Sequence, residues 1–318
     1  MANKNPVPFQ GSLQKKKYFE GWYFKHVSSG GERILSLIPG IALSDRNPHA
    51  FIQVIDGNSG ETFYLEYPVS DFHADTDRLH VRVGESVFTD TYCDILIDRK
   101  EFYLRGTLRY ENMVSYPRTS FLPGIMGWFS HIPGMECRHD VVSLSHDIQG
   151  ILKGTGGRTY DFSGGTGYIE KDWGRSFPDP YVWVQCNHFL EEQASFLLAA
   201  ARIPLGGFTF PGFLGFLHHR GETVVFATWN RWSLRNLDFG SDRGNTAVLA
   251  GGGKTLSLRV FPEQYGQLKA PDLGHMGRMV KESVNSRIEL LLEEPGAPPL
   301  RLSGSSAGFE LHGTMTMP

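Results

Sequence analysis

The sequence predicts an all-β protein built of two barrel halves with little helix, and three observations lead there. Its 37 Gly, 22 Phe and 12 Tyr tilt the composition towards tight turns and short strands. Apolar and polar residues alternate at period two in segment after segment, most clearly where Phe102, Leu104, Gly106 and Leu108 interleave with Tyr103, Arg105, Thr107 and Arg109. At 318 residues the chain exceeds most single cores and suits two domains.

Taken in order, the first strand is the aromatic run 18–27, closed by the turn at Ser28, Ser29, Gly30 and Gly31. A second strand over 33–43 is broken by Pro39 and Gly40, and a third over 49–55 ends at Asp56, Gly57, Asn58, Ser59 and Gly60, a strong hairpin turn. Further strands are expected at 62–72, 79–83, 86–89, 93–97 and 101–110, with a hairpin formed by 141–146 and 150–153. Glycines at 154–157 and 163–167 mark a joint, so the two domains are set at residues 1–158 and 159–318. Beyond it, strands fit 181–189, 195–203, 212–219, 223–229, 255–261, 282–293, 299–303 and 308–312, and 272–283 is the best short-helix candidate. The openings 19–27 and 183–189 echo each other half a chain apart, the spacing of a duplicated barrel unit.

Charge and motif content exclude several function classes. A net charge of −3, with no basic run beyond Lys15, Lys16 and Lys17, speaks against nucleic acid as a partner. Cys93, Cys137 and Cys186 are scattered and never in CxxC spacing, which argues against a disulfide framework or structural zinc and fits a reducing cytoplasm. The 12 histidines form no tight metal spacing, so no metal is expected. GxSxG, GxGxxG and P-loop motifs are all missing, which removes hydrolase-type covalent catalysis and phosphate loops. The first 17 residues lack a signal peptide's apolar core, and no apolar run approaches the roughly 20 residues of a spanning helix. Two stretches, 119–135 and 203–219, carry no Asp, Glu, Lys or Arg and are rich in Phe, Gly and Pro. As loops they would meet a greasy ligand or touch a membrane peripherally, and as strands they would be barrel wall.

Three clusters set acids among aromatics. They are Glu20 with Trp22, Tyr23 and Lys25; Glu136 with Arg138, His139 and Asp140; and Glu170 and Asp172 with Trp173. A carboxyl group enclosed by rings loses hydration, which disfavours its charged form and suits it to act as a general acid. The competing reading is that these acids pair with Lys25, Lys171, Arg138 or Arg175 and hold strands in register. The stretch 168–189 gathers most of this character, running from Glu170, Asp172 and Trp173 into Trp183, Gln185, Asn187 and His188.

At these residues the chain resembles the tocopherol cyclase family, its bacterial members above all. The resemblance is carried by FEGWYFK at 19–25, YIEKDWG at 168–174 with SFP at 176–178, WVQCN at 183–187, LKAP at 268–271 and KES at 281–283. It implies two lipocalin-like antiparallel β-barrels packed side by side, as in carotenoid hydratase and AttH-like proteins. It also implies closure of a chromanol ring on a prenylated hydroquinone, an isomerase or intramolecular lyase reaction that needs no cofactor. Carried onto this sequence, it makes Glu20, Glu170 and Asp172 the candidate acids. Trp22, Tyr23, Trp173 and Trp183 become cavity aromatics, and Gln185 and Asn187 would orient the hydroquinone hydroxyls. Lys25, Glu136 and His139 complete the expected substrate-binding set. The partner would be a lipophilic isoprenoid, and the alternative function is a non-catalytic carrier of such a ligand.

Overall fold

The computed structural model describes residues 5–190, 193–205, 207–241 and 244–317. Its first sheet holds twelve strands: β1 Tyr18–Val27, β2 Ile34–Leu43, β3 His49–Asp56, β4 Thr62–Tyr67, β5 Phe72–Ala74, β6 His80–Val83, β7 Ser86–Thr89, β8 Tyr92–Asp98, β9 Tyr103–Ser115, β10 Cys137–Gly154, β11 Thr159–Asp161 and β12 Gly165–Gly174. The second holds eleven: β13 Tyr181–Cys186, β14 Ala194–Leu205, β15 Phe208–His219, β16 Glu222–Ala227, β17 Ser233–Ser241, β18 Gly244–Gly251, β19 Lys254–Phe261, β20 Gly266–Asp272, β21 His275–Glu293, β22 Leu300–His312 and β23 Met315–Met317. Every strand pairing is antiparallel, and among the described residues the only helical turns are short 3₁₀ segments at Val69–Asp71, Gly127–His131 and Thr155–Gly157. The fold is therefore all-β, two large lipocalin-like sheets with little helix, as the composition and alternation predict.

Strand order in the first sheet runs β4-β3-β2-β1-β12-β10-β9-β8-β7-β6-β5, with β11 on β10. The second runs β16-β15-β14-β13-β22-β21-β19-β18-β17-β23, with β20 on β21. In both, the opening strand pairs with its hairpin partner and with a strand from the end of its own sheet. The echo between 19–27 and 183–189 is thus topological, since β1 and β13 hold the same place in the two orders.

Each sheet encloses its own core. In the first it includes Trp22, Phe24, Leu37, Ile52, Phe88, Leu104, Ile148 and Ile169. In the second it includes Val182, Val184, Phe196, Leu198, Phe239, Leu258, Leu290 and Phe309. Period two in the sequence is the cause, because alternate side chains of a strand leave on opposite faces.

Several local expectations differ from the structure. The first unit comprises the described residues up to Ser130, together with Glu136–Phe177 and Leu268–Met279, while Pro178–Gln267 and Val280 onward belong to the second. Residues 165–174, assigned from sequence to the second domain, pair with β1 and β10 in the first sheet. The glycines near 158 make turns within that sheet, and the second sheet begins only at Tyr181. The hairpin expected at 141–153 is one strand, β10, that runs through Gly150. The expected helix over 272–283 is a turn followed by β21, because Leu273 and Gly274 both take positive φ (48° and 77°), the pair that a tight hairpin requires. β17 and β18 are not expected from the sequence: β17 is largely polar, and β18 begins and ends at glycine.

Candidate acid–base site

Strand β12 sorts the chemistry of the first unit by parity. Its odd residues Ile169 and Trp173 belong to the barrel core, and Lys171 shares their face. Glu20 and Trp22 of β1 face the same interior. Lys171 Nζ lies 2.5 Å from Glu20 Oε1, both side chains are fully buried, and the ammonium sits 4.9 Å from the ring centres of Trp22 and Trp173. The segment before β1 completes this ion pair. The Gln10 amide donates to both Glu20 oxygens at 2.9 and 3.1 Å, Tyr18 Oη donates to Oε2, and Lys171 donates to the Pro6 carbonyl at 2.8 Å and to that of Pro8. Burial pushes the Lys171 pKa down, and Glu20 opposes that push.

The even residues of β12 leave on the opposite face. Tyr168, Glu170 and Asp172 lie opposite Lys25, Tyr23 and Gly21 of β1, and β10 places His139 opposite Asp172. Tyr23, Lys25, Tyr168 and Glu170 are buried despite facing away from the core. Tyr168 Oη donates to Glu170 Oε2 at 2.7 Å, and Ser36 Oγ donates to Tyr23 Oη at 3.0 Å. His139 Nδ1 is 3.0 Å from Asp172 Oδ1, while its Nε2 is 3.7 Å from Glu170 Oε2 and has no hydrogen-bond partner. Burial opposes charging of the imidazole. The Asp172 and Glu170 carboxylates outweigh it and hold His139 at about 9, so the ring is an imidazolium at neutral pH. Burial, followed by Glu170, pushes Tyr168 well above its ordinary value and keeps its hydroxyl a donor.

Gly174 makes this register available. Its φ is 149°, and a Cβ there would stand 2.1 Å from the Glu136 carbonyl oxygen, so only glycine lets β10 enter this close to β12. The Arg175 amide then closes on that carbonyl at 2.7 Å.

Five residues singled out from sequence therefore share one face: Tyr23, Lys25, His139, Glu170 and Asp172. Glu20, Trp22 and Trp173 lie on the other side of the same sheet, in the barrel interior. Glu136 sits at a strand end, partly exposed, with its carboxylate 3.6 Å from Arg175. Trp183, Gln185 and Asn187 belong to the second unit, where the Gln185 amide donates to Asn187 Oδ1 at 3.3 Å. Tyr168 and Cys137, whose thiol burial and Asp172 push up, join the cluster without having been singled out for it. Position 168 in the alternation with Glu170 and Asp172 was the available signal for Tyr168.

The donor atoms of His139, Glu170 and Asp172 lie within 4.8 Å of one another, as do those of His73, Asp75 and His80. Either group has the chemistry of a metal-ligand set, assembled across strands or a hairpin rather than in a short helical motif. A cleft of about 520 Å³, lined by Arg99, Tyr103, Lys153 and the 154–157 turn, includes none of the His139 cluster.

A tocopherol cyclase-like family description matches residues 97–237, a span that contains His139, Glu170 and Asp172. The chloroplastic tocopherol cyclase of Zea mays is 31% identical over 108 residues, covering 32% of this chain and 22% of that protein. The match thus spans less than a quarter of the curated relative's length. Among solved structures, CghA superposes with a TM-score of 0.59 at 11% identity, covering 93% of this chain and 88% of its own. Kievitone hydratase from Nectria haematococca gives 0.52 at 11%, covering 96% and 93%. At such identities the structural likeness is one of fold. Residues 97–237 are thus tocopherol cyclase-like in sequence, within an all-β fold shared with CghA and kievitone hydratase.

Proposed function

We propose that the protein is an acid–base catalyst acting on a lipophilic isoprenoid, with closure of a prenylated hydroquinone to a chromanol as its reaction. The observation that carries this reading is His139, held as an imidazolium between Asp172 and Glu170 on a largely buried face with Tyr23 and Tyr168. In the proposed cycle, the His139 imidazolium passes its Nε2 proton to Glu170, 3.7 Å away, and Glu170 gives it to the less substituted carbon of the first prenyl double bond. A C–H bond forms from the π pair and a tertiary cation is left. The phenol oxygen closes on that cation, and its proton returns through the Glu170 carboxylate to His139, so no proton is gained or lost overall. Asp172 holds the ring in place for both transfers, and the faces of Tyr23 and Tyr168 suit a carbocation because they attract positive charge without trapping it.

A passive carrier of an apolar ligand gains nothing from such a cluster, since buried ionisable groups are costly unless they serve packing or chemistry. The apolar stretches fit delivery from a bilayer surface: Phe121 is 85% exposed and Phe208 80%, ring area open to a lipid phase. The deciding experiment is turnover of a prenyl hydroquinone by Glu170→Gln. A loss of at least about 100-fold is expected for removal of a general acid. Unchanged turnover, or wild-type protein that binds the quinol without converting it, would favour carriage.

A further inference from the structure

The hairpin of β5 and β6, at the edge of the first sheet, gathers three side chains that the cycle above does not use. The Asp75 amide donates to the His80 carbonyl at 3.0 Å and extends the pairing of Ala74 with Val81, which sets Asp75 opposite His80. His73 stands two residues before Asp75 and leaves on the same face. The run H-x-D-x4-H therefore converges on one point through the hairpin, without the close histidine spacing of a helical metal motif.

The spacing of the donor atoms is that of ligands around one ion. His73 Nε2 lies 3.1 Å from Asp75 Oδ1, and His80 Nδ1 lies 3.7 Å from Asp75 Oδ2. Two atoms each bound at about 2.0–2.1 Å to a tetrahedral zinc ion stand roughly 3.3–3.4 Å apart, between those two distances. His80 Nδ1 is also a buried nitrogen with no hydrogen-bond partner, a cost that a metal bond would remove. Two imidazoles and a carboxylate suit a borderline divalent cation, and three ligands leave a position for water. Two arginines stand near. Arg78 Nε donates to Asp75 Oδ2 at 2.7 Å from a side chain 71% exposed, a weak pair that a divalent ion can displace. Arg82 opposes His73 across the hairpin, but its guanidinium donates to the Gly84 carbonyl.

We infer that His73, Asp75 and His80 bind one divalent cation of the zinc type, in a structural role. What the ion would steady is the segment before β1. The Asp75 carbonyl accepts from the Phe9 amide at 3.0 Å, and the Phe9 ring packs on Phe72 at 5.6 Å and on Trp22 at 6.5 Å. Pro6 and Pro8 of the same segment receive the Lys171 ammonium. Cross-linking β5 to β6 fixes the edge on which this segment rests. Zinc binding there is independent of the reaction proposed above.

Titration of the metal-free full chain with Zn²⁺, followed by calorimetry and by thermal unfolding, tests the site. The wild type should bind Zn²⁺ and gain roughly 5 °C in Tm at about a hundredfold excess over Kd. His73→Gln and His80→Gln should each weaken binding at least about 10-fold and reduce the Tm shift. His139→Gln, which breaks the other candidate ligand set, should leave both in place. Arg78→Ala should tighten binding, because it removes the competing cation. The His73 and Arg78 side chains are 60% and 71% exposed, so their variants are expected to keep the metal-free Tm. A wild type that binds no Zn²⁺, binding that disappears with His139→Gln, or binding unmoved by both His73→Gln and His80→Gln overturns the site. Binding without a Tm shift overturns the structural role.

Discussion

Glu170 and Lys171 are adjacent, yet they meet different surroundings because consecutive residues of a strand leave on opposite faces. Lys171 is enclosed by Glu20, two tryptophans and backbone carbonyls inside the barrel. Removing one partner of such a pair leaves an uncompensated buried charge. Glu20→Gln should therefore destabilise the protein by about 3–5 kcal/mol, while adding Lys171→Met should recover much of the loss. Urea unfolding of the single and double variants checks this, and a single variant as stable as wild type would remove the structural role given to Glu20. The sequence made Glu20, Glu170 and Asp172 look alike, each an acid among aromatics. Parity was legible, but both faces of β12 are buried, so alternation alone could not say which face held the barrel core.

Among the elements, strands were legible wherever polar and apolar residues alternate, and their joints were less so. Glycine is a turn signal in the sequence, yet Gly150 lies within a long strand and Gly174 ends one. There, positive φ permits close backbone approach rather than reversal. The same ambiguity moved the domain boundary, because the glycine-rich run near 158 serves β10, β11 and β12 of one sheet. Gly174→Ala tests the strand-entry role directly. Its Cβ would collide with the Glu136 carbonyl, so a loss of roughly 1–3 kcal/mol is expected from the strained backbone. The start of β10 should also shift, moving His139 away from Asp172. An NMR titration reads the second effect: the His139 pKa should fall from about 9 towards its ordinary value. An unmoved titration would mean that β10 is positioned by other contacts.

For the whole molecule, three buried histidines shape stability against pH in opposite senses. His26, hydrogen-bonded to Tyr110 at 2.7 Å, is pushed down by burial to about 4, and His146, beside Ser143 at 2.8 Å, to about 3. The unfolded chain binds a proton at each near 6.5 while the native state refuses it. Stability should accordingly fall by about 1.4 kcal/mol per pH unit for each histidine as pH drops from 6.5 towards 4. His139 works the other way, because the native state holds its proton up to about 9 and the unfolded chain releases it near 6.5. Its contribution is complete below 6.5 and is lost across the interval from 6.5 to 9. Between them these groups set a maximum near pH 6.5, with the acid limb about twice as steep as the alkaline one. Urea unfolding from pH 4.5 to 9 should show this asymmetry. His146→Gln should halve the acid slope and leave the alkaline limb alone, whereas His139→Gln should flatten only the alkaline limb. If His139→Gln left that limb unchanged, the imidazolium would not be the native state of the ring, and the proton of the proposed cycle would need another source.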